Sequence, residues 1–80
     1  MQDADIHQHI ESLVAEEHRL LEQGESGSLK DEEHRRLADV NVQLDRYYDL
    51  LRQRRARRDA GQSPEDTGMR PAKIVEHYQQ

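Results

Sequence analysis

The chain has no cysteine, no phenylalanine and no tryptophan, and only two of its 80 residues are proline. Without cysteine there are no disulfides and no thiolate metal sites, so no covalent cross-link compensates for a small core. No apolar run approaches the roughly 18 residues that span a membrane, and no basic N-terminal stretch leads into an apolar one. We therefore expect a cytoplasmic protein that does not contact a membrane.

Apolar residues are also scarce. They make up 32% of the chain, while charged residues make up 36%. Ordinary globular domains are about 45–50% apolar and about 25% charged. A chain of 80 residues forms one small domain at most and buries proportionally little surface. The composition indicates either a helical bundle with a narrow apolar seam or a chain that is disordered in part.

The charges are divided unequally along the chain. Residues 1–33 contain ten Asp or Glu and two basic residues, which gives a balance of −8. Residues 34–58 contain eight Arg and three Asp, a balance of +5, and residues 59–80 contribute −2, which completes the net charge of −5. Such asymmetry favours either segments that pair with each other or a basic surface for an anionic partner.

Two segments show apolar residues at alternating spacings of three and four, the pattern of a helix with one apolar face. The first segment predicts helix 1 over about residues 4–23. Gly, Glu and Ser fill residues 24–28, a composition typical of a turn. The second segment predicts helix 2 over about residues 29–60, which contain no Gly or Pro before the capping Gly61.

A short polar loop between two amphipathic helices predicts an all-α fold, an antiparallel two-helix hairpin that resembles a coiled coil. If the chain reverses near residue 26, helix 1 ends opposite about residue 50, and everything from Arg52 onward projects beyond it. Tyr48 is expected in the seam or in a subunit interface. The other expected seam residues are Ile6, Ile10, Leu13, Leu20, Leu37, Val40, Leu44, Tyr47 and Leu51.

An arginine run occupies the end of helix 2. Its members are Arg52, Arg54, Arg55, Arg57 and Arg58. Since the run projects beyond helix 1 in this register, helix 1 of the same chain is not expected to neutralise it. Three alternatives remain: a solvated helix end that the helix dipole favours, a contact with the acidic helix 1 of a second copy, or binding to phosphates.

Glu17 lies in the middle of the apolar stripe of helix 1, where a carboxylate needs a partner. Arg36 lies nearby in the predicted register, so we expect a Glu17–Arg36 pair that fixes how the helices align. Among the five histidines, His7 is paired with Glu11 and His18 with Glu22 at a spacing of four. No Glu precedes a His by three positions, as carboxylate-bridged metal bundles require. We expect no catalytic residue, no cofactor and no metal.

Residues 62–80 form a separate C-terminal tail that begins as a linker. Pro71 suits the first turn of a short helix over residues 71–78, which would carry Ile74, Val75 and Tyr78. Such a helix is too short to be stable alone in water, so it is ordered only if these side chains dock on something. The partner is either the same chain or another protein.

Four stretches of the sequence carry a resemblance to known proteins. They are Leu-Val-Ala-Glu-Glu-His at 13–18, Glu-Glu-His-Arg-Arg-Leu at 32–37, Leu-Leu-Arg-Gln-Arg-Arg-Ala at 50–56, and the ending from Arg70-Pro71 to Tyr78-Gln79. Together they resemble a short actinobacterial family of unknown function, over almost the whole chain. The resemblance implies a helical fold and brings with it no activity, cofactor or catalytic residue.

The small seam bears on function. Two helices with about six seam residues each bury too little apolar surface to offset the conformational entropy that the chain loses on folding. We therefore expect a homo-oligomer, with a dimer favoured. The leading hypothesis is a non-enzymatic interaction or scaffold protein that presents an arginine-rich helix end. The alternative, which is less favoured, is a nucleic-acid-associated or transcription-machinery-binding regulator that uses the basic run over residues 52–58.

Overall fold

The computed structural model of the chain describes residues 1–27, 29–73 and 75. Helix α1 spans Asp3–Ser26 and helix α2 spans Asp31–Asp59; a short 3₁₀ helix follows at Pro64–Asp66. The two long helices lie antiparallel and pack against each other. The all-α hairpin expected from the sequence is therefore confirmed. No helix in the described part of the chain is long and apolar enough to cross a bilayer.

Both long helices begin where an acidic side chain caps the backbone. The backbone N–H of Gln2 donates to Asp5 Oδ2 at 3.1 Å, and that of Lys30 donates to Glu33 Oε1 at 3.0 Å. Each bond is the return half of a capping box, and the acids also complement the positive end of the helix dipole. The helix starts are thus determined locally, by residues three positions apart.

The turn lies later in the chain than the sequence predicted. α1 continues through Gly24 to Ser26, so the loop predicted at 24–28 is wrong in its first part. A single Gly costs a helix only about 1 kcal/mol, and the Leu29 side chain packs over Gly24, where a β-carbon would lie 3.7 Å from Leu29 Cδ1. When the turn of a hairpin lies some number of residues later, the residue of the second helix that faces a given residue of the first helix lies twice that number later. Toward the open end of the hairpin the partners of α1 therefore change by about five residues, more than one helical turn, and Asp3 contacts Arg54.

The core lies between the two helices. It is formed by Ile6, Ile10, Val40, Leu44 and Leu50, with the partly buried Leu13, Val14, Tyr47, Leu51 and Met69 packed against it. Leu20 is buried outside this cluster, and Leu37 is half-buried.

Two residues of α2 differ from the expected seam. Leu50 was not expected there, but it is only 3% exposed, whereas Tyr48 is 44% exposed. Leu50 shares a helix face with Arg46 and Gln53, and both of these side chains bind the C-terminal tail. The tail therefore covers the face of α2 that carries Leu50, whereas Tyr48 lies on the opposite side of the helix.

The described part of the tail returns along α2 and docks on its own chain. Gly61, with a φ of 71°, turns the backbone at the end of α2. Arg46 Nε then donates to the carbonyl of Arg70 at 3.0 Å, and Gln53 Nε2 donates to the carbonyl of Gly68 at 2.9 Å.

The short helix predicted over residues 71–78 falls partly on described residues. Ala72, Lys73 and Val75 are helical, and Val75 is fully buried, as docking of the tail requires. Ile74 and Tyr78, the other side chains expected to dock, lie outside the described residues. The 3₁₀ helix at Pro64–Asp66 was not predicted; Ser63 caps it by accepting a hydrogen bond from the Glu65 backbone N–H at 3.3 Å.

Candidate interaction surfaces

The arginine run closes the open end of the hairpin, so the predicted overhang is wrong. Arg54 is buried, at 3% exposed, and its Nε donates to Asp3 Oδ1. Arg58 Nη2 donates to Asp3 Oδ2 at 2.8 Å. Arg54 also donates to the Pro64 carbonyl at 3.2 Å and to Glu65 Oε1 at 3.4 Å. The later turn places Asp3 opposite these arginines. We call Asp3, Arg54, Arg58 and Glu65 the polar clamp.

The polar clamp holds its groups in their charged forms. Hydrogen bonds from Arg58 and then Arg54 keep the pKa of Asp3 below its ordinary value. The hydrogen bond to Asp3, followed by that to Glu65, raises the pKa of Arg54. A buried guanidinium is stable only when its donors are satisfied. Within the described residues, no buried side-chain nitrogen or oxygen lacks a partner.

The other three arginines of the run are arranged differently. Arg57 Nη1 donates to Gln62 Oε1 at 3.1 Å. The Arg52 side chain is 62% exposed, and its Nη2 lies 3.9 Å from Asp49 Oδ1. Arg55 is exposed and forms no ion pair with another described residue. The five arginines therefore do not form one continuous basic surface.

The predicted register pair between Glu17 and Arg36 is wrong. Arg36 binds the neighbouring carboxylate of Glu16 through two nitrogens, with 2.7 Å from Nη2 to Glu16 Oε1, and its Nη1 lies 2.9 Å from Asp39 Oδ2. The hydrogen bond from Arg36 lowers the pKa of Glu16. Glu16 lies about 100° around the helix from Glu17, on the side of α1 that the Arg36 side chain reaches. Glu17 itself is half-buried.

Several contacts at the α2 surface were not foreseen from the sequence. The ring of Tyr47 stacks on that of His9, with centroids 5.1 Å apart and planes 9° apart. Asp49 is buried beneath the tail, where its Oδ2 accepts from Gln53 Nε2 at 2.9 Å and lies 3.5 Å from Arg70 Nε. The spacing of Asp49 and Gln53 by four, on the same face as Arg46, was the available signal.

An exposed side of α1 carries a second stripe. His7, Glu11, Val14, His18 and Glu22 recur at spacings of four, three, four and four, with Ala15 beside Val14. Ile10, Val14 and Ala15 form an open apolar surface there, bordered by Glu11, His18, Arg19 and Glu22. We call residues 7, 11, 14, 15, 18 and 22 the outer stripe.

The outer stripe lies next to another exposed apolar side chain. Leu21 is 49% exposed and lies on the same flank of α1 as Val14. His7 and His18 do not converge on a metal site: no three His, Asp or Glu side chains of the described residues are grouped closely enough to hold an ion. The stripe is therefore a surface with an apolar middle and charged borders.

Comparison with known proteins agrees with the helical fold and the resemblance noted in the sequence. A family model described as "Protein of unknown function (DUF2630)" matches residues 2–80. The chain belongs to this family. Among its relatives, the uncharacterized proteins Rv0898c of Mycobacterium tuberculosis (strain H37Rv) and Mb0922c of Mycobacterium bovis are each 43% identical over 77 residues. The matches cover 95% of this chain and 88% of each relative.

The expected membership of a short actinobacterial family of unknown function is thus confirmed. No solved structure shows a significant match to the chain. Neither the DUF2630 description nor the names of the relatives assign an activity.

Proposed function

We propose that this DUF2630 protein is a non-enzymatic, cytoplasmic interaction module that acts as a self-associating helical hairpin. The observation that carries the proposal is the exposed apolar surface on α1, which α2 and residues 62–73 and 75 of the tail leave uncovered. It joins Val14 and Ala15 to the edge of Ile10, and Leu21 adjoins it. Exposed apolar surface that is bordered by charge is typical of a protein–protein contact.

A second copy of the chain is the partner that this surface suits. A helix of 24 residues is about 36 Å long at 1.5 Å per residue, so two such helices side by side share a long contact. A symmetric pair also doubles every favourable contact, because the same patch serves both subunits. Covering the stripe would add apolar burial to a hairpin whose own core contains few large side chains.

Light scattering of the purified chain over a wide range of protein concentration and ionic strength tests the proposal. We expect a dimer that persists at high salt, because apolar contact at the centre of the interface is not screened. The substitution Ala15→Arg should dissociate it, since the side chain would put a charge in the middle of the stripe. Ala38→Arg is the matched control on the exposed side of α2. A monomer at every concentration would overturn the proposal.

One observation favours a second candidate, binding to nucleic acid. Arg52 and Arg55 are exposed at the end of α2. Against this, Arg54 and Arg58 are engaged by Asp3, so a phosphate would have to displace a carboxylate to reach them. If nucleic acid binds, the affinity should fall steeply with salt and should be lost in the Arg52→Gln/Arg55→Gln variant. Binding that is unaffected by either change would exclude this role for the arginines.

A further inference from the structure

The charges of the outer stripe are complementary to those of the same stripe in the opposite direction. From its N-terminal end it presents His7, Glu11, the apolar pair Val14 and Ala15, then His18 and finally a further acid, Glu22. In the reverse order, from residue 22 to residue 7, the stripe has an acid at each place where the forward order has a histidine. An antiparallel second copy therefore meets histidine with acid along the whole stripe.

We propose that two copies pair antiparallel through α1, about a two-fold axis between Val14 and Ala15, and that the pairing tightens when the stripe histidines are protonated. In this arrangement Glu11 of each copy faces His18 of the other, and Val14 faces Ala15. The outer positions bring His7 opposite Glu22. The inference rests on the self-association proposed above, and it specifies the surface, the direction and the response to pH.

Packing supports this direction and register. Residues at spacings of three and four form the ridge that one helix presents to another. The small Ala15 next to the axis lets the two helices approach closely, and Val14 fills the space opposite it. A parallel pair in the same register would place Glu11 against Glu11 and His18 against His18. Like charges opposite each other disfavour that alternative, so the charges select the antiparallel dimer.

The response to pH follows from the groups around His18. On its own helix, Glu11, Arg19 and Glu22 border the same surface, and the second copy adds its Glu11. α2 is packed on the other side of α1, where its Arg36 is engaged by Glu16. Histidine is the side chain whose ordinary titration falls between pH 5 and 8. A carboxylate gained on association favours the protonated imidazole, so association takes up protons and strengthens as the pH falls from 8 to 6.

Charge exchange between Glu11 and His18 is the test. Each of Glu11→Lys and His18→Glu should weaken association by about tenfold or more at pH 6, because each removes both symmetric contacts between a histidine and an acid. The double variant Glu11→Lys/His18→Glu should restore the dimer. The control Glu32→Lys makes the same change in charge on an exposed position of α2 and should leave association unaltered. Circular dichroism verifies that each variant stays helical.

The dissociation constant is measured by sedimentation equilibrium between pH 6 and 8. For the unmodified chain we expect it to be about three- to tenfold lower at pH 6 than at pH 8. The double variant should show a smaller change, because lysine and glutamate keep their charges over this range and only the outer contacts of His7 with Glu22 still respond to pH. A dimer that neither single change weakens, or that the double change does not restore, would overturn the inference and leave self-association standing. A monomeric chain would overturn the proposed function itself.

Discussion

The two ends of the hairpin are held together by different means. Near the turn, where a short loop joins the helices, the contacts include the buried side chain of Leu20, the packing of Leu29 over Gly24 and the exposed ion pair of Glu16 with Arg36. At the open end, the buried guanidinium of Arg54 joins Asp3 to the 3₁₀ helix. A short covalent loop makes contact at the turn inexpensive in entropy. The open end has no such connection, and specific polar contacts are concentrated there.

Removing apolar side chains from the two ends should have the largest effects. Ile6 is fully buried in the core cluster near the open end, whereas Leu20 is buried outside that cluster. We expect Ile6→Ala to lower the free energy of unfolding by about 2–5 kcal/mol, and Leu20→Ala to lower it less. Urea unfolding followed by circular dichroism measures both. The milder Ile6→Val, at about 0.5–1.5 kcal/mol, keeps the comparison measurable if Ile6→Ala does not fold. The reverse order would show that the turn end carries the core.

Breaking the polar clamp should have the next largest effect. Arg54→Gln removes the donors to Asp3, Glu65 and the carbonyl of Pro64. We expect its melting temperature to fall well below that of Arg55→Gln, the matched loss of an exposed arginine one position along. Thermal melts at neutral pH give the comparison. Equal melting temperatures for the two variants would mean that the clamp contributes nothing specific to stability.

Glycine substitutions at the two ends should change the free energy of unfolding in opposite directions. Gly24 lies in helical backbone near the turn, and a β-carbon there would make an ordinary contact of 3.7 Å with Leu29. Gly24→Ala should therefore raise the free energy of unfolding by about 0.5–1 kcal/mol. Gly61 has a φ of 71°, so Gly61→Ala should lower it. The same unfolding assay serves both, and a stabilised Gly61→Ala would contradict the described turn at the end of α2.

The smallest expected effects concern the stability of the protein at low pH. Hydrogen bonds from arginines lower the pKa of Asp3 at the open end and of Glu16 nearer the turn. A carboxyl group with a lowered pKa in the folded state contributes stability above its unfolded pKa, about 4. This stability is lost as the pH falls toward the folded pKa. Asp3→Asn should flatten the loss of stability below pH 4 more than Glu16→Gln does, because two arginines hold Asp3. Melts between pH 7 and 2.5 measure this, and an unchanged acid limb in both variants would rule out the linkage.

The fold was predictable because its signals are local. Spacings of three and four define each helix within its own residues, and acids close to each start cap it. The turn was misplaced because its composition suggested a break at Gly24, whereas one glycine costs a helix little and Leu29 packs against it. The composition of residues 24–28 alone does not indicate that Leu29 packs against Gly24.

The contacts between segments were less predictable, because the position of every pair depends on where the turn lies. An error of two or three residues in the turn doubles across the hairpin. This is why Arg54 was expected to lie beyond Asp3. The exchange of Glu17 for Glu16 is a change of one position only, and it depends on which side of α1 the Arg36 side chain reaches. The bonds from Arg46 and Gln53 to tail carbonyls had no signature either, since a backbone acceptor is the same at every residue.

The burial of Arg54 has a consequence for how the molecule opens. Its guanidinium is bonded both to Asp3, 51 positions earlier, and to Pro64, ten positions later. If either the first turn of α1 or the 3₁₀ helix separates, the buried Arg54 cation loses a hydrogen-bond partner. Fraying of either segment therefore costs free energy through the same side chain. The first turn of α1 and the 3₁₀ helix should therefore belong to one cooperative unit with the end of α2. In hydrogen exchange, amides in these distant stretches should open together and with a common free energy, instead of fraying independently.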